Sequence, residues 1–258
     1  MIRSIFFVVA LATLFSCQNT FAQPANREIV NQSIEWFGLT TNTKLTKRIS
    51  LMVEGQFRYA REFEQQQYQA RTALEISVNK NLSIAPLAYV YTWNYLYGKQ
   101  PAAFANNEHR TWQQVTYKHK FARINLQHRL RVEQRFIQTH SINAEGNVIN
   151  EGYTLHQNRL RYRFLATIPL NKPTMESGSW FSSFYDEAFL SWGENVTFHE
   201  PDQNRIFAGL GYQFNSSLSI QSGLLYQMLI KANGAKQENN LGLQVQLTYN
   251  LDLTKPGK

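Results

Sequence analysis

Between Ala122 and Thr139 the chain alternates. Ile124, Leu126, Leu130, Val132 and Phe136 share one parity, interrupted by His128 and Gln134, while Arg123, Asn125, Gln127, Arg129, Arg131, Glu133 and Arg135 hold the other without a break. A period of two puts successive side chains on opposite faces of a β-strand. One face of this strand needs an apolar medium, and the other carries four arginines and a glutamate. A sandwich core accepts neither over such a length. A membrane barrel accepts both, with lipid outside and a polar lumen inside.

The same signature recurs along the chain. Strands are predicted near 48–59, 67–79, 82–96, 108–119, 122–139, 154–168, 179–192, 203–214, 217–231 and 239–252. In the first, Ile49, Leu51, Val53, Phe57 and Tyr59 oppose Arg48, Ser50, Glu54, Gln56 and Arg58. Fourteen residues at ~3.3 Å each, tilted near 40°, rise roughly 35 Å, more than the ~25 Å apolar band of an outer-membrane barrel. Connections alternate between tight ones (79–81, 118–122, 215–217) and longer polar ones (60–66, 97–107, 140–153, 193–202, 232–238), with Pro169 to Gly178 a ten-residue exception on the tight side. The fold class expected is therefore all-β: an antiparallel up-and-down transmembrane β-barrel of about ten strands, with twelve as the alternative. Residues 48–252 form the barrel and 253–258 a polar tail. The segment 23–47 contains a further alternating stretch, Gln32 to Thr43, read as a partial strand or as a lumenal or periplasmic segment.

Two stretches leave the register open. Leu82 to Tyr97 is apolar on both faces, and adjacent Asp186 and Glu187 force one carboxylate toward lipid unless a bulge intervenes.

Composition narrows the class. Of 258 residues 43% are apolar, too few and too dispersed for membrane helices, while the 14% aromatic content suits strands and interfacial girdles. Tyr59, Tyr212, Phe214, Tyr226 and Tyr249 fall near strand ends as interfacial anchors. Residues 1–22 read as a signal peptide: Arg3, an apolar run from Ile5 to Phe15, and Thr20-Phe21-Ala22 as the cleavage site. Leu14-Phe15-Ser16-Cys17 loosely matches a lipobox, which makes acylation of Cys17 the alternative. Cleavage after Ala22 removes the one cysteine, and with it disulfides and thiolate metal sites. The formal charge of +8 suits nucleic acid only in a chain that stays inside the cell.

The polar parity defines the candidate site. Its cations are Arg58, Arg71, Arg110, Arg129, Arg131, Arg135, Arg159, Arg161, Arg163 and Arg205, with Arg48, Lys118 and Arg123 nearer the ends. Its anions are Glu54, Glu75, Glu108, Glu133 and one of Asp186 or Glu187. Such a lumen is a structural polar core of Arg–Glu pairs, or a surface selecting small anionic solutes. The rival class is a lipid- or envelope-modifying enzyme, for which His140-Ser141 and His199-Glu200 with Asp202 are the available groups. No nucleophile motif, phosphate-cradling glycine loop or metal-ligand spacing accompanies them, so no catalytic residue, metal or cofactor is assigned. A soluble periplasmic binding barrel would need an apolar interior, against the arginine stripes.

Several segments in order carry a family likeness. They are Glu108-x-Arg110-x-Trp112-Gln113-Gln114, Arg129-x-Arg131-x-Glu133-x-Arg135-Phe136, Arg159-Leu160-Arg161-Tyr162-Arg163, Asp186-Glu187, and Asn204-Arg205 with Gly209-x-Gly211-Tyr212. Across residues 30–252 the chain resembles the domain of unknown function 2490 family, proteins of Gram-negative bacteria assigned to outer-membrane barrels. The resemblance implies a barrel in the outer membrane. It transfers no activity. The partners expected are outer-membrane lipid and, during biogenesis, the barrel assembly machinery, while secretion argues against nucleic acid. The tail after Tyr249-Asn250-Leu251 departs from the aromatic terminal residue with which many such barrels close.

Overall fold

The computed structural model describes residues 27–100, 103–196, 201–231 and 234–254. The signal-peptide reading, His199-Glu200 and the end of the tail lie outside the described residues.

Among the described residues thirteen strands follow in order: β1 (Glu28–Lys44), β2 (Ile49–Ala60), β3 (Glu64–Ser77), β4 (Leu82–Asn94), β5 (Glu108–Phe121), β6 (Ile124–Ile137), β7 (His140–Ile142), β8 (Val148–Asn150), β9 (Leu155–Pro169), β10 (Ser179–Trp192), β11 (Gln203–Gln213), β12 (Leu218–Ile230) and β13 (Lys236–Asp252). β7 and β8 form a small separate hairpin within the long β6–β9 connection. The other eleven close into a barrel in the order β1-β13-β12-β11-β10-β9-β6-β5-β4-β3-β2. Each of the ten segments expected from alternation is one of its strands.

The eleventh is the N-terminal segment. β1 spans the full wall rather than part of it. Each meander strand reverses the last, so an odd count leaves the first and last strands running the same way. β1 accordingly pairs antiparallel with β2 but parallel with β13, in unbroken register from Glu28↔Lys236 to Lys44↔Asp252. No upward partner is needed before β1, because β13 supplies its second neighbour. This seam leaves the sheet without an edge, which is how a barrel satisfies every backbone N–H and C=O. Asn42 Nδ2 donates to Asn250 Oδ1 (3.0 Å) and Lys44 pairs with Asp252 (3.6 Å) at its lower end. The two backbones approach closely at Gly242, where an added Cβ would lie 1.7 Å from the Ile34 carbonyl oxygen.

The open registers resolve locally. In β4 the pairing slips between Ala85 and Ala88, around Pro86, which has no N–H for a ladder. Beyond the slip Ala88, Val90 and Thr92 are buried inward, and Tyr89 and Trp93 face out. In β10 the ladder runs without a bulge, so Glu187 is buried in the lumen and Asp186 sits on the outer wall, taking a 2.7 Å hydrogen bond from Asn204 Nδ2. The β2–β3 connection is shorter than the expected 60–66. The strands continue to Ala60 and resume at Glu64, leaving Arg61, Glu62 and Phe63, all at positive φ.

The outer wall is broadly apolar. Leu87 is 67% exposed and Leu224 63%, with Leu39, Val53, Phe57, Leu130, Phe184, Leu210, Leu241 and Leu243 around them on the same face. The expected anchors Phe214, Tyr226 and Tyr249 are also exposed there.

The Gly242 contact yields a direct test. Gly242→Ala is expected to weaken the β1–β13 seam by about 1–3 kcal/mol, the usual scale of overpacking, or to prevent closure. Gly55→Ala, whose Cβ meets nothing within 4 Å, is expected to be silent. The heat-modifiable mobility of the folded barrel on gels reads both. Equal melting of the two variants would contradict the closure described.

Candidate functional site: the arginine-lined lumen

Alternation alone delivers the lumenal side chains. The inward parity of β2, β3, β5, β6, β9, β10 and β11 carries Glu54, Arg58, Arg71, Glu75, Glu108, Arg110, Arg129, Arg131, Glu133, Arg135, Arg159, Arg161, Arg163, Glu187 and Arg205. All line the lumen or are buried within it. Of the outlying cations, Lys118 lines the lower part, Arg48 lies exposed in the β1–β2 turn, and Arg123 is spent on the carbonyls of Pro169, Leu170 and Lys172 beside the β9–β10 turn.

Burying guanidinium groups requires partners, since an unpaired charge away from water is expensive. Four glutamates meet most of that demand, three of them by sharing. Glu108 accepts from Arg110 (Nε 2.7 Å, Nη2 2.8 Å) and from Arg135 (Nε 2.6 Å, Nη2 3.1 Å). Glu133, 0% exposed, accepts from Arg159 (2.6 Å) and Arg161 (2.6 Å), with Arg131 at 3.7 Å and Arg110 at 3.9 Å. Glu187 accepts from Arg161 (2.8 Å) and Arg129, with Arg205 at 3.8 Å. Glu54 pairs with Arg71 across β2 and β3.

Aromatic faces take part of the remaining charge. Arg58 lies 4.0 Å over Trp36, Arg131 3.8 Å over Trp112, and Arg161 and Arg205 at 4.6 and 4.7 Å over Phe189. Sequence reasoning missed Trp36 because its segment was not placed in the wall. Trp112 and Phe189 share the parity of Arg110 and Glu187, and that signal could have identified them.

The lumen holds two chambers. The lower, of about 630 Å³, opens among the short turns (Asn79, Lys80, Asn81) and is lined by nine cationic side chains against three carboxylates, Glu54, Glu75 and Glu187. The upper, about 320 Å³, lies beneath the long connections. Trp36, Arg58, Arg71, Arg161 and Arg205 line both and form the waist between them. Above, the β4–β5 connection folds inward. Tyr97 donates to Glu238 (2.9 Å), and Lys231 bonds both the Tyr97 hydroxyl (3.1 Å) and Glu238 (2.9 Å). Burial, and then the Glu238 carboxylate, push the Tyr97 phenol above its ordinary range, so it stays a neutral donor. This latch was illegible because the last strand begins at Lys236, three residues earlier than alternation suggested.

Of the groups considered for an enzyme, Ser141, His140 and Asp202 are described, and each has its own partner. Ser141 donates to Glu151, His140 faces Asn106 (3.0 Å), and Asp202 accepts from Ser191 (2.7 Å). Among the described residues no cluster of metal-ligating side chains occurs.

Removing one shared carboxylate should leave several charges unmatched. Glu133→Gln is expected to destabilise the barrel by about 3 kcal/mol or more. Glu75→Gln, on a group with no ion pair among the described residues, should cost under about 1 kcal/mol. Urea unfolding in detergent micelles measures both, and equal losses would contradict a load shared through Glu133.

Residues 35–240 match the model of the family described as protein of unknown function (DUF2490). A search of curated proteins found no match. The matched span begins in β1, ends in β13 and contains every arginine of the lumenal cluster, and on that match the chain belongs to the DUF2490 family.

Proposed function

We propose that this protein is an outer-membrane β-barrel whose basic lumen forms a narrow passage for small anionic solutes. What supports the reading is sidedness: leucines and aromatic rings on the outside of a closed wall, and a lumen in which cations far outnumber carboxylates on both sides of a waist. Rings of arginine and lysine favour anions in the same way in other pores. The long connections face the exterior and the short turns the periplasm, as in barrels of this kind. Access from outside passes the Tyr97–Glu238–Lys231 latch.

Fractionation is expected to recover the protein with the outer membrane, insoluble without detergent. In planar bilayers the purified barrel is expected to give small conductance steps with anion permeability above cation permeability. Absence of current, or a preference for cations, would overturn the passage.

Arg58 offers a sharper variant. It forms no ion pair among the described residues and bonds the amides of Gln67 (2.6 Å) and Gln56 (2.5 Å), so its truncation orphans no carboxylate. Arg58→Ala is expected to widen the waist, raising single-channel conductance while lowering anion preference. An unchanged conductance would place the limiting constriction elsewhere.

A further inference from the structure

Three pairs of arginines face each other directly across the wall: Arg110↔Arg135 between β5 and β6, and Arg129↔Arg163 and Arg131↔Arg161 between β6 and β9. Like charges in that position repel. Glu108 binds both members of the first pair, and Glu133 reaches both members of the third. The middle pair has no such bridge. Glu187 is the register neighbour of Arg163, yet its oxygens go to Arg129 and Arg161. Among the described residues Arg163 makes no ion pair, and its one hydrogen bond is a 3.4 Å contact to Gln127 Oε1. The Nε atoms of Arg129 and Arg163 are both buried without an acceptor. Both arginines line the lower chamber, together with Gln127 and Lys118, which are in register with each other at the next inward position.

We propose that Arg129 and Arg163, with Gln127 and Lys118 on the mouth side, form a binding site for a doubly charged oxyanion group of the phosphate class. The reading rests on the anion-selective lumen proposed above and names where and what that lumen holds. Guanidinium forks match phosphate oxygens in geometry, and a dianion between opposed arginines does what Glu108 and Glu133 do for the other two pairs. A single negative charge leaves three cations, Arg129, Arg163 and Lys118, undercompensated beside a Glu187 already shared. The ≈ 630 Å³ chamber falls in the size range of small-molecule sites and leaves room for a solute attached to the group.

The test is calorimetric titration of the full barrel, in zwitterionic detergent at low ionic strength, with inorganic phosphate and with acetate. Phosphate is expected to bind saturably, and acetate about tenfold or more weaker. Arg163→Gln is expected to weaken phosphate binding by about tenfold while leaving the heat-modifiable melting point equal or higher, because it removes a repelling charge and breaks no ion pair. A merely structural role would lower that melting point. Arg48→Gln, which removes an exposed turn charge near the same mouth, should keep phosphate affinity within about twofold. No saturable phosphate binding, equal binding of acetate, or equal losses in the Arg163 and Arg48 variants would each overturn the site. An anion-selective current without saturable phosphate binding would remove this site and leave the passage. Phosphate binding without current would do the reverse.

Discussion

A guanidinium group enclosed by a protein wall must find a carboxylate, an aromatic face or an anion, because the interior offers it little water. Ten arginines on one inner surface turn that requirement into the organising constraint of the molecule. Four glutamates cannot answer ten cations one to one, so three of them are shared, with Glu133 and Glu187 each touching several strands' worth of positive charge. Sharing couples β5, β6, β9, β10 and β11 from within, while their backbones are already coupled by the ladder.

The opposite side of the lumen solves a different packing problem. There the inward face of β11, β12, β13 and β1 is interrupted by glycine: rings lie over the gaps in β11, the Gln246 side chain over Gly38, and neighbouring backbone against Gly223 and Gly242. A Cβ on Gly211 would meet the Phe181 ring at 2.2 Å, and Tyr185 and Phe207 stack 5.2 Å apart nearby. Trp36, on β1, is where the two halves meet, with Arg58 and Arg205 over its ring. The waist is thus made of charge stacked on aromatic surface rather than of charge alone.

Parity along the chain was enough to read the wall, its inward face and nearly all of the charged cluster. That legibility has a simple cause: a strand with an apolar outer face and an inner face on a polar lumen must alternate strictly, so local sequence reports global position. What parity could not report was anything decided between distant strands. The place of β1 depended on β13, more than 200 residues away, and on a parallel seam that short-range pattern does not encode. Asp186 on the outer wall became acceptable through Asn204 on the next strand. The slip at Pro86 was visible only as a stretch with two apolar faces. Which arginines lack a carboxylate followed from the reach of Glu187 in three dimensions, since Arg163 is its neighbour in register and still goes without.

Sidedness is the claim on which stability, location and selectivity all rest, and β6 tests it most directly. Spin labels placed singly at positions 124–137 of the barrel in bilayers report whether each site meets oxygen dissolved in lipid or a water-borne relaxation agent. The expected result is strict alternation: oxygen contact at 126, 130, 132 and 136, and none at 129, 131, 133 and 135. Uniform exposure to the aqueous agent along the strand, or oxygen contact at the arginine positions, would contradict it.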